Sequence, residues 1–178
     1  MKSKRAMYVQ IGSPKEPSDV VNLLLECHER IRTFLGLACK LGKAQEPTMD
    51  EIRDAASRVS RYFSEALPLH VADEEQSIMP RLAGRNPELD LALEKMRNEH
   101  MEHQGRLQLL LNTCNTLKSS PEMFGSLRDA LSAAASALDK EYAEHLDEEE
   151  RVILPAIRTL LPPDQKRAIE SELRSRRR

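Results

Sequence analysis

His70-Val71-Ala72-Asp73-Glu74-Glu75-Gln76-Ser77-Ile78-Met79-Pro80 and His145-Leu146-Asp147-Glu148-Glu149-Glu150-Arg151-Val152-Ile153-Leu154-Pro155 are two versions of one phrase. Each reads His, two variable residues, an acidic residue, Glu-Glu, two variable residues, Ile, an apolar residue and Pro. In both, the Pro lies ten places after the His. A chain of 178 residues with only five His does not repeat such spacing by accident.

A helix advances about 100° per residue, so residues four apart lie about 40° apart around its axis. His70 and Glu74 therefore point the same way, as do His145 and Glu149. Each helix offers one imidazole and one carboxylate side by side. That is half of a divalent-cation site, and the mixed donors suit iron, manganese or zinc. The other acids of the two phrases, Asp73, Glu75, Asp147, Glu148 and Glu150, point elsewhere and read as a solvated helix face.

Working outward, the chain divides into four long helical patterns. Residues 1–17 lack periodicity and read as a tail. Ser18 is a fair N-cap for a first helix that Gly42 should end. Its stripe is Val21, Leu24, His28, Ile31, Leu35 and Ala38, the seam of a helix packed at a shallow angle. His28 sits where a Leu is expected. Thr48-Met49-Asp50-Glu51 is a capping box for the second helix. Pro68 should bend that helix one turn before His70, and Gly84 should stop it. Asn86-Pro87 starts the third helix, whose seam includes Leu93, Met96, His100, His103, Leu107 and Leu110. Ser119-Ser120-Pro121 announces the fourth, with Leu131, Leu138, Tyr142, His145, Glu149 and Val152 inward. Leu161-Pro162-Pro163 ends it. Asp164 is a candidate cap for a short last helix, and the basic end, Arg174 to Arg178, reads as a frayed, solvated tail.

No segment alternates as a strand does. The expectation is all-α: an up-down-up-down four-helix bundle over residues 18–162, with a short C-terminal helix and basic tail over 163–178. Helices one and two carry His and then His-x3-Glu, and helices three and four repeat that order. Such a duplication sets the four around a pseudo-two-fold axis.

Composition narrows the function. Aromatic residues are 3% and Trp is absent, which argues against base-stacking surfaces. A net charge of −2 supplies no field for nucleic acid or anionic lipid. There is no apolar run of spanning length and no leader, so a cytoplasmic protein is expected. The three Cys lack C-x-x-C spacing and read as reduced, packed thiols. Cys27, beside His28, is a candidate for a redox role.

All five His fall on the seams: His28, His70, His100, His103 and His145, with Glu74 and Glu149 among them. Two buried carboxylates without a positive partner are costly, and no Lys or Arg shares their level. A pair of divalent ions would supply the missing charge, with the two Glu as bridges.

With these residues in view, the chain resembles the hemerythrin-like family, the HHE cation-binding domain, over about residues 18 to 160. The resemblance implies a non-haem di-iron centre with an oxo, hydroxo or water bridge; zinc or manganese are alternatives. It assigns His28, His70, His100 and His145 as terminal ligands and Glu74 and Glu149 as bridging carboxylates. Hemerythrins proper carry two His four apart on the third helix and an Asp five after the His of the fourth. Here position 104 is Gln and the second His is His103. The chain therefore looks more like the bacterial HHE group, and His103 is left between fifth imidazole ligand and hydrogen-bond donor to a ligand. Tyr142 is read as core or as a neighbour of the ligands. The extra Cys-containing N-terminal segment of iron–sulfur repair relatives is not seen. The Glu-x2-His order of ferritin-like centres is also absent.

The expected function is binding of O2, NO or peroxide for sensing, stress response or storage. The first alternative is a di-iron enzyme acting on peroxide or NO, or donating iron for metal-centre repair. The second is a helical interaction module with a structural ion. The partner expected is a small diatomic ligand or peroxide, with no nucleic acid and no membrane. A homo-oligomer or a signalling partner protein is left open.

Overall fold

The computed structural model describes residues 19–178, so the tail over residues 1–17 and the expected Ser18 cap lie outside the described residues. Helix α1 spans Val20–Lys43, and its N-cap is Asp19, whose side chain accepts from the Val21 N–H. Helix α2 is a rod of three α-helical segments, Met49–Arg61, Leu67–Ala72 and Met79–Leu82, joined by wide π-turns at Tyr62–Ala66 and Asp73–Ile78. Helix α3 spans Pro87–Ser119. A 3-10 turn, Pro121–Met123, leads into α4, which runs Phe124–Glu148, through a π-turn at Glu149–Ile153, to Leu154–Leu160. Helix α5 spans Pro163–Arg176.

The start signals act as read for α2 and α3. Thr48 and Glu51 form the reciprocal capping box, and the Asn86 side chain accepts from the Leu89 N–H with Pro87 in the first turn. Gly84 takes the left-handed conformation, φ 77°, that ends α2 at no steric cost. Two signals misled. Helix α1 passes through Gly42 to Lys43; a Cβ at Gly42 would meet Ser132 Cα of α4 at 2.9 Å. That glycine serves the close approach of two helices, not termination. Asp164 lies inside the first turn of α5, whose cap position is Pro162.

Just ahead of Pro68, where a bend was expected, the structure has a π-turn, and the pattern recurs. Each π-turn is followed, at the second residue, by a proline: Pro68, Pro80 and Pro155. Proline has no N–H to donate, and its ring crowds the carbonyl four residues back. Widening the turn relieves both faults. The residue before each proline instead donates five residues back: Leu67 to Tyr62, Met79 to Glu74, and Leu154 to Glu149.

The four long helices pack antiparallel, α1 against α2 and α4, and α3 against the same two. The apolar interior falls into two clusters. One, at the far end, is built on Ile31, Leu35, Val59, Phe63, Leu110, Leu131 and Leu138. The other holds Leu24, Ile78, Leu82, Leu93, Ile153 and Ile157, and α5 seals it with Ile169 and Leu173. Between them lies a polar layer: His28 between Leu24 and Ile31 on α1, His100 and His103 between Met96 and Leu110 on α3, and the His-x3-Glu phrases on α2 and α4. Among the described residues no helix is long and apolar enough to cross a membrane.

Candidate metal centre

Seven polar side chains occupy that layer: His28, His70, Glu74, His100, His103, His145 and Glu149, all buried. A Leu in any of these places would contribute about 1.5–3 kcal/mol of burial. Retaining polar groups there needs a partner strong enough to offset that loss and the desolvation of the carboxylates.

The partners within the protein are incomplete. Glu74 has one oxygen 3.1 Å from His70 Nε2 and the other 3.3 Å from His100 Nε2. Glu149 has one oxygen 3.0 Å from His145 Nε2 and the other 3.1 Å from His28 Nε2. Each carboxylate thus spans two imidazoles from different helices. The rings meet in two pairs, His28 with His70 at 5.2 Å and His100 with His145 at 5.0 Å between centroids. Several of these atoms are close without being aligned: Nε2 of His28, His70 and His100, Glu74 Oε2 and both Glu149 oxygens are buried with no hydrogen-bond partner. Atoms that approach so closely without bonding converge on a point between them.

Two groups of such atoms lie within 4.8 Å of one another: His28, His70, Glu74 and Glu149, and His100, His145 and Glu149. Neighbouring donors on a six-coordinate cation with bonds of about 2.1 Å lie about 3.0 Å apart, close to the separations found. The donor set, imidazole with carboxylate, fits a divalent or trivalent transition ion. Orphaned atoms, spacing and donor type together fit a metal in each group.

Outside this layer lies a set of carboxylates that the sequence reading missed. His28 Nδ1–H donates to Glu150 at 2.9 Å, His100 Nδ1–H to Glu75 at 2.9 Å, and His145 Nδ1–H to Glu99 at 2.8 Å. Glu75 and Glu150 were expected in solvent. One residue beyond the inward Glu, each is turned toward the neighbouring helix and meets the ring held there. Asp73 is a second correction. It is 0% exposed and ion-paired with Arg176, the last residue of α5, and with Arg177 just beyond it, and Arg176 also donates to Ser77 Oγ. The basic end of the chain is therefore docked rather than frayed. Asp147 is exposed as expected, and Glu148 is partly covered by Lys95.

His103 is buried, but it is not a member of either group. Its ring lies 4.7 Å from Tyr142 and 5.4 Å from His145, between centroids, and its Nδ1 has no partner. Tyr142 is buried beside both rings. The three Cys are free, Cys39 and Cys114 buried and Cys27 half-buried.

Without metal, protons occupy the layer. Burial would lower the His145 pKa, but Glu149, Glu74 and Glu99 outweigh it and raise it to about 9. His28 is raised in the same way, against burial, by Glu149. Burial and the facing Glu149 charge raise Glu74, whereas Glu149, despite its burial, is held low by His145 and His28. His70 is driven down to about 3 by burial, and His103 to about 4 by burial and then by His145. Positive charge is demanded at this level, and imidazolium supplies it imperfectly.

A family model accords with this geometry. The Hemerythrin HHE cation binding domain model matches residues 19–168, which includes all four helices that carry the buried His and Glu and the start of α5. A comparison with curated proteins found no match. Two His/Glu phrases on facing helices, a bundle built around them and a match over most of the chain have one reading: this chain belongs to the hemerythrin HHE cation-binding domain family.

Proposed function

We propose that the chain holds a dinuclear non-haem iron centre and binds a small ligand, O2, NO or peroxide, at it, in sensing, stress response or storage. The observation that carries this reading is the placement of Glu74 and Glu149, each with its two oxygens facing imidazoles from two different helices. One ion would be held by His28, His70, Glu74 and Glu149, the other by His100, His145 and Glu149, with the second oxygen of Glu74 facing His100. A bound iron pair supplies reversible one-electron chemistry and an affinity for diatomic ligands.

The protein's own part is to orient and to exclude. Glu75, Glu99 and Glu150 hold three rings by Nδ1 and so direct Nε2 inward. The two apolar clusters close the layer from both ends and keep bulk water from competing for the centre. Anaerobic reconstitution with ferrous iron followed by metal analysis tests the reading. Two irons per chain, with ligand-to-iron charge-transfer absorption after exposure to O2 or NO, are expected. Fewer than about one iron per chain, or a spectrum without that absorption, overturns it.

A further inference from the structure

We propose that the two metal positions are unequal, and that Glu99 makes the position at His100, His145 and Glu149 the tighter one. This rests on the dinuclear reading above and deepens it. The pseudo-two-fold repeat matches almost every residue near the centre: His28 with His100, His70 with His145, Glu74 with Glu149, Glu75 with Glu150. The hydrogen bonds behind the rings follow that match for one pair only. His28 donates to Glu150 and His100 to Glu75, each ring reaching the acid that follows the inward Glu of a neighbouring helix.

The second pair breaks the symmetry. His145 Nδ1–H donates to Glu99 at 2.8 Å, and Lys95 Nζ, 3.7 Å from the other Glu99 oxygen, helps to hold that carboxylate in place. His70 Nδ1 is buried and has no partner. Glu99 precedes His100 as Cys27 precedes His28, so the place of the missing acid is taken by a cysteine. Its thiol lies 3.8 Å from the Arg177 guanidinium, and sulfur is a far weaker acceptor than a carboxylate.

A ring that donates Nδ1–H to a carboxylate has its tautomer and orientation set and its Nε2 made more basic, and losing such a partner typically costs 10–100-fold in metal affinity. Both rings of the His100/His145 position have this support, and only one ring of the His28/His70 position does. Ions should therefore load in order. Glu99 touches no ion in this scheme; it is a positioning residue acting through His145.

The test is titration of metal-free protein with cobalt(II), followed by calorimetry, and a crystal of the half-loaded protein mapped at the cobalt edge. Two steps separated by about 10–100-fold are expected, with cobalt at His100, His145 and Glu149 after one equivalent. Glu99→Gln keeps the shape of the side chain and its acceptor oxygen for His145, so the metal-free variant should fold with the parent's helix content by circular dichroism, even where the lost charge lowers its melting point. In it the tighter step should weaken by about 10–100-fold while the weaker step holds, drawing the two together. Cobalt evenly divided or first at His28 and His70, or two steps that Glu99→Gln leaves unmoved or weakens alike, would overturn the proposal while leaving the dinuclear reading intact. Binding of fewer than two ions per chain would overturn that reading as well.

Discussion

His100 and His103 lie three residues apart on α3, and only His100 joins a group of converging donors. Three residues turn a side chain through about 300°, which carries His103 to the flank, against Tyr142. His103→Ala should therefore leave two metal ions bound per chain, whereas His100→Ala should lose one; metal analysis after desalting distinguishes them. A His103→Ala protein that retains a single ion would make His103 a ligand. The inward His and Glu were legible because each replaces an apolar residue on a seam, a contradiction visible in sequence alone. Glu75, Glu99 and Glu150 were not. An acid one place round from a seam has the same spacing whether it meets water or a neighbouring ring, and only the packing of two helices decides. Asp73 was hidden for the same reason, since its partners Arg176 and Arg177 lie some hundred residues away.

The proline that closes each His-Glu phrase has a role at the scale of the element. Pro80 and Pro155 each follow a π-turn whose closing wide hydrogen bond, at its C-terminal end, is accepted by the carbonyl of Glu74 or Glu149. The same residue thus gives a side chain to the centre and its carbonyl to the turn. Pro155→Ala restores an N–H and removes the ring, which lets the turn narrow to α spacing and shifts Glu149 against His28. Metal affinity should fall by about tenfold or more, read by competition with a chromophoric chelator, with helix content by circular dichroism unchanged. An unaltered affinity would assign the turn to packing. That the helix is disturbed at Pro68 was readable from the missing N–H, but the widened turn that takes up the disturbance was not. The wrong reading of Gly42 has a similar origin: a glycine that ends a helix and one that lets Ser132 of another helix approach look alike in one dimension.

For the molecule as a whole, the fold was legible almost entirely, because four amphipathic stripes with short connections leave few other arrangements. The docking of α5 across the end was not, since Ile169 and Leu173 are too few to make a strong stripe. The centre's charge sets a pH dependence for the metal-free protein. The His145 pKa is raised in the folded state, from an ordinary value near 6.5 to about 9. The stability it contributes is fully present below pH 6.5 and is lost as pH rises through 9, and the raised pKa of Glu74 acts in the same sense. The metal-free protein should melt several degrees lower at pH 9 than at pH 6.5, while the loaded protein, whose ions replace those protons, should show a flatter profile by calorimetry. Equal slopes for the two forms would mean that these groups are not where the ions bind.

The interior consists of two apolar halves meeting across a charged plane. Such a plane is a fault line. Four helices run through both halves, but between them side-chain cohesion at the middle passes through whatever neutralises the glutamates. Cations bound there would act as rivets, making one rigid body of two that could otherwise loosen separately.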